Sequence, residues 1–208
     1  YWCWSCETAL AEAEVEYHEK TSHTIWVKFP VIATDDPALA DACVVIWTTT
    51  PWTIPANRAI AYGAHIDYGL YEVTGAPEDN WAKTGERFVV ADALAEEIFK
   101  AARVESFARV TAVDPAVIKR CAHPFRGLDG ADGYWDFDVP ILPADYVTDD
   151  AGTGFVHTAP GHGADDYVTY LKHKPVFADC GTTEVPHTVA EDSSYFPHVP
   201  FFAGLQIY

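Results

Sequence analysis

The sequence predicts a strand-rich α+β domain: a β-barrel core with a few peripheral helices, built as a single unit over residues 1–208. Three observations predict it. Short runs with period-two alternation or continuous apolar character recur between turn residues. Fourteen prolines and thirteen glycines are spread along the chain, which favours many short elements over a few long helices. Only one segment carries a strong helical pattern, and there is neither an internal repeat nor a low-complexity tract. At this length a chain can bury a sizeable core without splitting, and no composition shift marks a boundary.

Taken in order, Ala11–Val31 reads as two β-like runs around a polar turn at Glu19–Ser22. In the second run Thr24, Trp26 and Lys28 alternate with Ile25, Val27 and Phe29, the period of a half-buried strand. Ala42–Thr48 is apolar throughout and ends in hydroxyls, as a buried strand does when it leaves the core. Tyr68–Thr74 and Arg87–Ala91 are further strands. Asp92–Arg103 is the best helix, with Leu94, Ile98 and Ala102 on one face and Asp92 placed to cap it. Phe107–Val113, Phe137–Leu142 and Gly154–Thr158 return to strand. A Gly/Pro-rich loop, Ala159–Ala164, leads into a short helix from Asp165 to His173. Cys180–Phe202 is mostly loop with scattered aromatics.

Bulk properties narrow the function. Thirteen basic residues stand against 31 acidic ones, a net charge of −18. Phosphate affinity comes largely from Lys and Arg displacing counterions, so any RNA-handling role has to borrow basic surface from elsewhere. No apolar run approaches the roughly 18 residues that cross a bilayer, so no membrane role is expected. Five cysteines, an odd number where a disulfide framework normally shows an even set, suit reduced cytoplasmic thiols better. The chain opens at Tyr1 and lacks methionine, which reads as a piece excised from a longer protein.

Three clusters can carry chemistry. Thr48-Thr49-Thr50-Pro51-Trp52-Thr53-Ile54-Pro55-Ala56-Asn57 puts consecutive hydroxyls at a strand end, followed by prolines that stiffen the turn. That is either a binding wall or an ordinary strand-to-loop transition, with threonines chosen for β propensity. The segment from Gly152 to Tyr167 combines small residues that admit a ligand to the backbone with His157, His162, Asp165 and Asp166. Asp165 and Asp166 read equally well as helix-start carboxylates. The two His and two Asp match no zinc spacing such as H-E-x-x-H, although a zinc hydrolase on His157, His162 and Asp165 stays as an alternative. Cys3-Trp4-Ser5-Cys6 reads as half of a structural zinc site, since four-coordinate zinc needs two more ligands.

Together these segments resemble the connective-peptide editing domains of isoleucyl-tRNA synthetases. The resemblance rests on Tyr1–Tyr17, on the T-T-T-P-W-T-x-P-x-N motif at Thr48–Asn57, and on G-T-G-x-V-H-x-A-P-G-H-G-x-D-D-Y at Gly152–Tyr167. Related valyl and leucyl editing domains typically carry Arg-Pro in place of Thr50-Pro51, so Thr50, Trp52 and His157 point to the isoleucyl branch. The HIGH-type and KMSKS-type signatures of the synthetic site are absent from these residues, as is a second cysteine pair. ATP and magnesium would then be needed only by a synthetic domain outside this chain, and no cofactor is expected within it.

The resemblance implies hydrolysis of valine wrongly attached to the isoleucine tRNA, and less surely of valyl-adenylate. One methylene is worth about 1–3 kcal/mol of discrimination in an apolar pocket, a limit for which isoleucyl-tRNA synthetase is itself the usual illustration. A second pocket that admits valine and excludes isoleucine resolves the problem. By resemblance, Asp166 grips the substrate α-ammonium, while Thr48, Thr49, Thr50, Thr53 and Asn57 line the pocket opposite His157. Trp47, Thr158, Ala159 and Asp165 count as further substrate contacts. A positioned water would attack the ester. No general base stands out, because a carboxylate paired with an ammonium is a poor one and His157 is the other candidate. The expected partners are the acylated 3′ end of the tRNA and the rest of the parent synthetase. The alternatives are a sister synthetase's editing domain and a non-catalytic amino-acid-binding module.

Overall fold

The computed structural model describes residues 1–19 and 21–207. A two-stranded hairpin, β1 (Trp2–Cys3) and β2 (Thr8–Ala9), opens the chain. Nine further strands form one sheet: β3 (Ile25–Thr34), β4 (Ala42–Thr48), β5 (Ala59–Tyr62), β6 (Tyr68–Gly75), β7 (Arg87–Ala91), β8 (Ser106–Val113), β9 (Ile118–Ala122), β10 (Asp138–Pro143) and β11 (Phe155–Thr158). Their order is β11-β5-β10-β9-β3-β4-β7-β6-β8. Neighbours run antiparallel except β10 with β5 and β4 with β7. Three short helices, α1 (Ala95–Ala101), α2 (Ala164–Lys172) and α3 (Lys174–Asp179), sit outside the sheet. The strand-rich α+β class is the one the sequence predicts.

The sheet exists because its strands bury continuous apolar faces. On β4, Val44 and Ile46 are fully buried, as are Phe29 on β3, Ile60 on β5, Leu70 on β6 and Val89 on β7. Each such side chain contributes roughly 1.5–3 kcal/mol relative to exposure. Ile46→Ala would cost about 2–5 kcal/mol through the cavity it leaves.

The sheet also curls on itself, giving the core its barrel character. The Ala91 amide at the end of β7 donates to Thr153 O at 2.9 Å, just before β11. The Tyr68 hydroxyl on β6 donates to Gly154 O at 2.6 Å. Gly154 has φ +78°, and a Cβ there would fall 2.5 Å from Ala91 Cβ. Only glycine fits where the first edge of the sheet folds back over β6 and β7. Among the described residues the edge strands β11 and β8 share no ladder.

Several local expectations change. The first β-like run of Ala11–Val31 is a 3-10 turn, Glu12–Glu14, and the sheet strand begins only at Ile25. The turn expected at Glu19–Ser22 includes residue 20, which lies outside the described residues. The Asp92–Arg103 helix is a 3-10 turn, Asp92–Leu94, followed by α1. Asp92 does not cap it; its carboxylate instead takes Arg109 at 2.7 Å and the Tyr71 hydroxyl at 2.7 Å. Strands β5 and β9 and helix α3 were not anticipated. Among the described residues no helix is long and apolar enough to cross a membrane.

Candidate active site

The two long motifs meet because β11 pairs with β5, setting His157 opposite Ile60 and Thr158 opposite Ala59. The threonine segment leaves β4 and passes through a 3-10 turn, Pro51–Ala56, before β5 begins. Pro51 is accepted there because the first turn of a helix needs no donor. Between these segments lies a cavity of about 350 Å³, lined by Trp47, Thr48, Thr49, Thr50, Thr53, His157, Ala159, His162 and Asp166. Tyr146, Thr148 and Phe155 line it as well.

One wall is a network of hydroxyls. Thr48 Oγ1 accepts the Thr50 amide at 3.1 Å and lies 3.2 Å from Thr50 Oγ1. Thr53 Oγ1 donates its single proton to Thr50 O at 2.9 Å and lies 3.0 Å from His157 Nε2. With that proton committed, Thr53 accepts from His157, which is therefore assigned the Nε2–H tautomer. The other ring nitrogen faces the Asn57 amide nitrogen at 3.5 Å, and that amide also donates to Ala59 O at 2.9 Å. Burial lowers the His157 pKa to about 4, with a smaller contribution from His162. The ring is neutral at pH 7, and both nitrogens face protein groups.

The opposite wall is α2. Its N-cap is Gly163, and the Asp166 carboxylate lies in the first turn. Asp166 Oδ2 accepts the Ala159 amide at 2.8 Å, tying the helix start back to the end of β11. Burial raises the Asp166 pKa above the usual carboxylate range, the Ala159 hydrogen bond opposes this, and Asp165 adds to the rise. A partly buried carboxylate held in this way is a natural partner for a cationic group. His162 completes the rim, its Nε2 lying 3.0 Å from Thr188 Oγ1 and its ring edge-on to Trp52. Burial lowers its pKa to about 4, with His187 contributing.

Three of the anticipated contacts lie outside the cavity. Asp165 is exposed and does not line it, because the next helical position turns away. Asn57 is fully buried behind His157, where it orients the ring. Thr158 is fully buried, since strand alternation sends it to the other face from His157. Sequence reasoning missed Tyr146, Thr148 and Phe155. Tyr146 and Thr148 lie in the connection between β10 and β11, where no local pattern marks a pocket wall.

His157 and His162 direct Nε2 at threonine hydroxyls, Asp165 is exposed, and among the described residues no three His, Cys, Asp or Glu gather as a group that could hold a metal. At the hairpin, the Cys6 amide donates to Cys3 Sγ at 3.3 Å. That hydrogen bond lowers the Cys3 pKa, while Cys6 is raised by Cys3. The pair could supply two thiolates of a zinc site, and the described residues gather no others beside it.

No family model matches the chain. It is 52% identical to the isoleucine–tRNA ligase of Bradyrhizobium diazoefficiens over 204 residues, 97% of this chain. It is 54% identical to that of Caulobacter vibrioides over 96% of the chain, and 47% identical to that of Ruegeria pomeroyi over 97%. The chain spans only 20% of the length of each of these relatives. Among solved structures it is similar to GlLeuRS-CP1, with a TM-score of 0.51 and 16% identity, covering 76% of this chain and 64% of that one. The Plasmodium knowlesi cytosolic leucyl-tRNA synthetase editing domain gives a TM-score of 0.51 at 10% identity, covering 79% and 68%. These structural likenesses speak to the fold.

Proposed function

Over nearly its whole length the chain is homologous to one segment of isoleucine–tRNA ligase, and from that premise we propose that it is an editing domain that hydrolyses valine mis-attached to the isoleucine tRNA. The observation that carries this reading is the pairing, across one cavity, of the Asp166 carboxylate with the hydroxyl wall of Thr48–Thr53. In this reading Asp166 receives the substrate α-ammonium while Oδ2 stays fixed by the Ala159 amide. The valine side chain points toward Trp47, the threonine methyls and the His157 ring. That wall is stiff because its hydroxyls bond to the backbone and to one another, so an extra methylene meets a surface that cannot yield.

Hydrolysis follows from placement. A water held among the Thr48 and Thr50 hydroxyls lies beside the ester carbonyl, and fixed dipoles stabilise the charge that develops on its oxygen. His157 is a positioning group in this scheme, because its low pKa and committed Nε2–H suit a wall better than a base. Water is the only co-reactant, and ATP and magnesium belong to the synthetic reaction of the ligase. Valyl-adenylate is a second substrate for the same cavity. The net charge of −18 leaves the tRNA body to basic surface elsewhere in the ligase, in the cytoplasm where translation occurs.

The test is hydrolysis of valyl, threonyl and isoleucyl esters of the isoleucine tRNA by the wild type and Asp166→Ala. Selective loss of the valyl ester, abolished in the variant, supports the reading. Selective loss of the threonyl ester would assign the domain to a sister synthetase. Unaltered esters would leave only a binding module.

A further inference from the structure

The 3-10 turn Pro51–Ala56 directly follows Thr50 and carries Thr53, so it sets one side of the cavity. Its own hydrogen bonding leaves it incomplete. A 3-10 turn closes each carbonyl onto the amide three residues on. Thr50 O takes the Thr53 amide and Ile54 O takes the Asn57 amide, both at 3.0 Å. Trp52 O would need the amide of residue 55, which is a proline and has none. Pro55 O would need the Arg58 amide, which turns instead to Thr158 O at 2.9 Å.

Both carbonyls are satisfied by side chains that do not line the cavity. The Tyr195 hydroxyl donates to Trp52 O at 2.7 Å, and the Trp135 indole N–H donates to Pro55 O at 3.1 Å. His123 backs the same turn: its Nδ1 accepts the Phe125 amide at 3.1 Å, which assigns the proton to Nε2, 3.1 Å from Ile54 O. All three side chains are buried. Burial holds the Tyr195 hydroxyl protonated, with a pKa of about 12, and the His123 ring neutral, with a pKa of about 3. Trp135 and Tyr195 belong to a satellite aromatic cluster, and Trp52 packs against it. Anchoring the Trp52 carbonyl fixes the planar Trp52–Thr53 peptide. With it is fixed the Thr53 hydroxyl, 3.0 Å from His157 Nε2.

We propose that Tyr195 and Trp135 are specificity-positioning residues, which hold the Pro51–Ala56 turn from behind at the distance that admits valine and excludes isoleucine. This rests on the editing reading, which puts the substrate side chain against that turn. The carbonyls that Pro55 and the turned-away Arg58 amide leave open are what the satellite cluster uses to grip the wall.

The test is calorimetric binding of non-hydrolysable valyl- and isoleucyl-adenosine analogues to the wild type, Tyr195→Phe and Tyr71→Phe, with the melting temperature of each. Tyr195→Phe keeps the ring and removes only the donor to Trp52 O. Tyr71→Phe removes a hydroxyl of like burial that donates to Asp92 at 2.7 Å, away from the turn. Both variants should melt below the wild type. Only Tyr195→Phe should lower the ratio of valyl to isoleucyl affinity, by about fivefold, a fraction of what one methylene is worth. Its gain should lie in isoleucyl binding, with valyl affinity within about twofold of wild type. An unchanged ratio in Tyr195→Phe would make the hydrogen bond purely structural and overturn the proposal, as would an equal fall in Tyr71→Phe. A wild type that does not discriminate between the two compounds would overturn the editing reading and the positioning role together.

Discussion

The two walls of the main cavity are built in opposite ways. The threonine wall grows out of the central strand β4, rests on the main hydrophobic core, and ties its hydroxyls to backbone groups and to His157. The Asp166 wall is a nine-residue helix with Tyr167, Val168 and Leu171 exposed. Its inner face rests on a small satellite cluster of Ala59, Leu142, Tyr170 and Phe177. One hydrogen bond, from the Ala159 amide, fixes its functional carboxylate. The difference teaches a division of labour. Shape is set where the fold is stiffest, and charge is supplied where a change costs the fold least.

The largest expected effect separates these walls directly. Asp166→Ala should weaken binding of a valyl analogue by about 2–5 kcal/mol, thirtyfold or more, with a melting temperature close to wild type. Asp166→Asn should do the same to binding and leave stability equal or higher. The sign follows from the raised folded-state pKa. A carboxylate raised by burial favours the fold below its unfolded pKa and loses that contribution as pH rises through the folded one, so at neutral pH the charge is a burden. A strongly destabilised Asp166→Asn would erase the distinction between the walls.

His157→Ala, on the stiff wall, should lower stability by about 2–4 kcal/mol, because it leaves a cavity and strands Thr53 and Asn57. The same residue gives a pH signature. His157 and His162 have folded pKa values of about 4, below the unfolded 6.5. The unfolded chain therefore binds more protons between these values, and stability falls as pH drops from 6.5 toward 4. For His157 the fall is at most about 3 kcal/mol. Urea unfolding across that range should show a shallower slope in His157→Gln. An unchanged slope would mean that the ring is not held neutral.

Thr50→Ala sharpens the comparison at smaller scale. Removing one methyl and one hydroxyl from the stiff wall should narrow the gap between valyl and isoleucyl analogues by roughly tenfold, the worth of about one methylene. The smallest effect concerns the exterior. Binding of uncharged tRNA by the chain at physiological salt should be no tighter than micromolar, as the acidic surface dictates. A gel shift at lower concentration would show that the chain carries its own RNA-binding surface.

Much of this was legible in the sequence because two kinds of pattern are local. Ala42–Thr48 and Arg87–Ala91 announce themselves as strands through apolar runs and β-branched residues, and both lie where expected. Trp47–Thr50, Thr53, His157, Ala159 and Asp166 are drawn into one cavity from two motifs that the sequence already sets apart. The remainder needed three dimensions. Ala59–Tyr62 is four residues long with no alternation, and Ile118–Ala122 carries Lys119 and Arg120, so neither shows a strand period. Pro175 reads as a break in the sequence, yet it falls in the first turn of α3, where proline is accommodated. Tyr146 reaches the cavity only because the connection before β11 folds over it. Asp165 and Asn57 fell inside the motifs, but one turns to solvent and the other supports His157 from behind.

The central claim is a size-limited cavity anchored by Asp166, and calorimetric binding of non-hydrolysable valyl- and isoleucyl-adenosine analogues to the wild type and Asp166→Ala tests it most directly. The account predicts a clear preference for the valyl compound in the wild type and loss of affinity in the variant. Equal binding of both compounds by the wild type, or a preference that survives without the carboxylate, would contradict it.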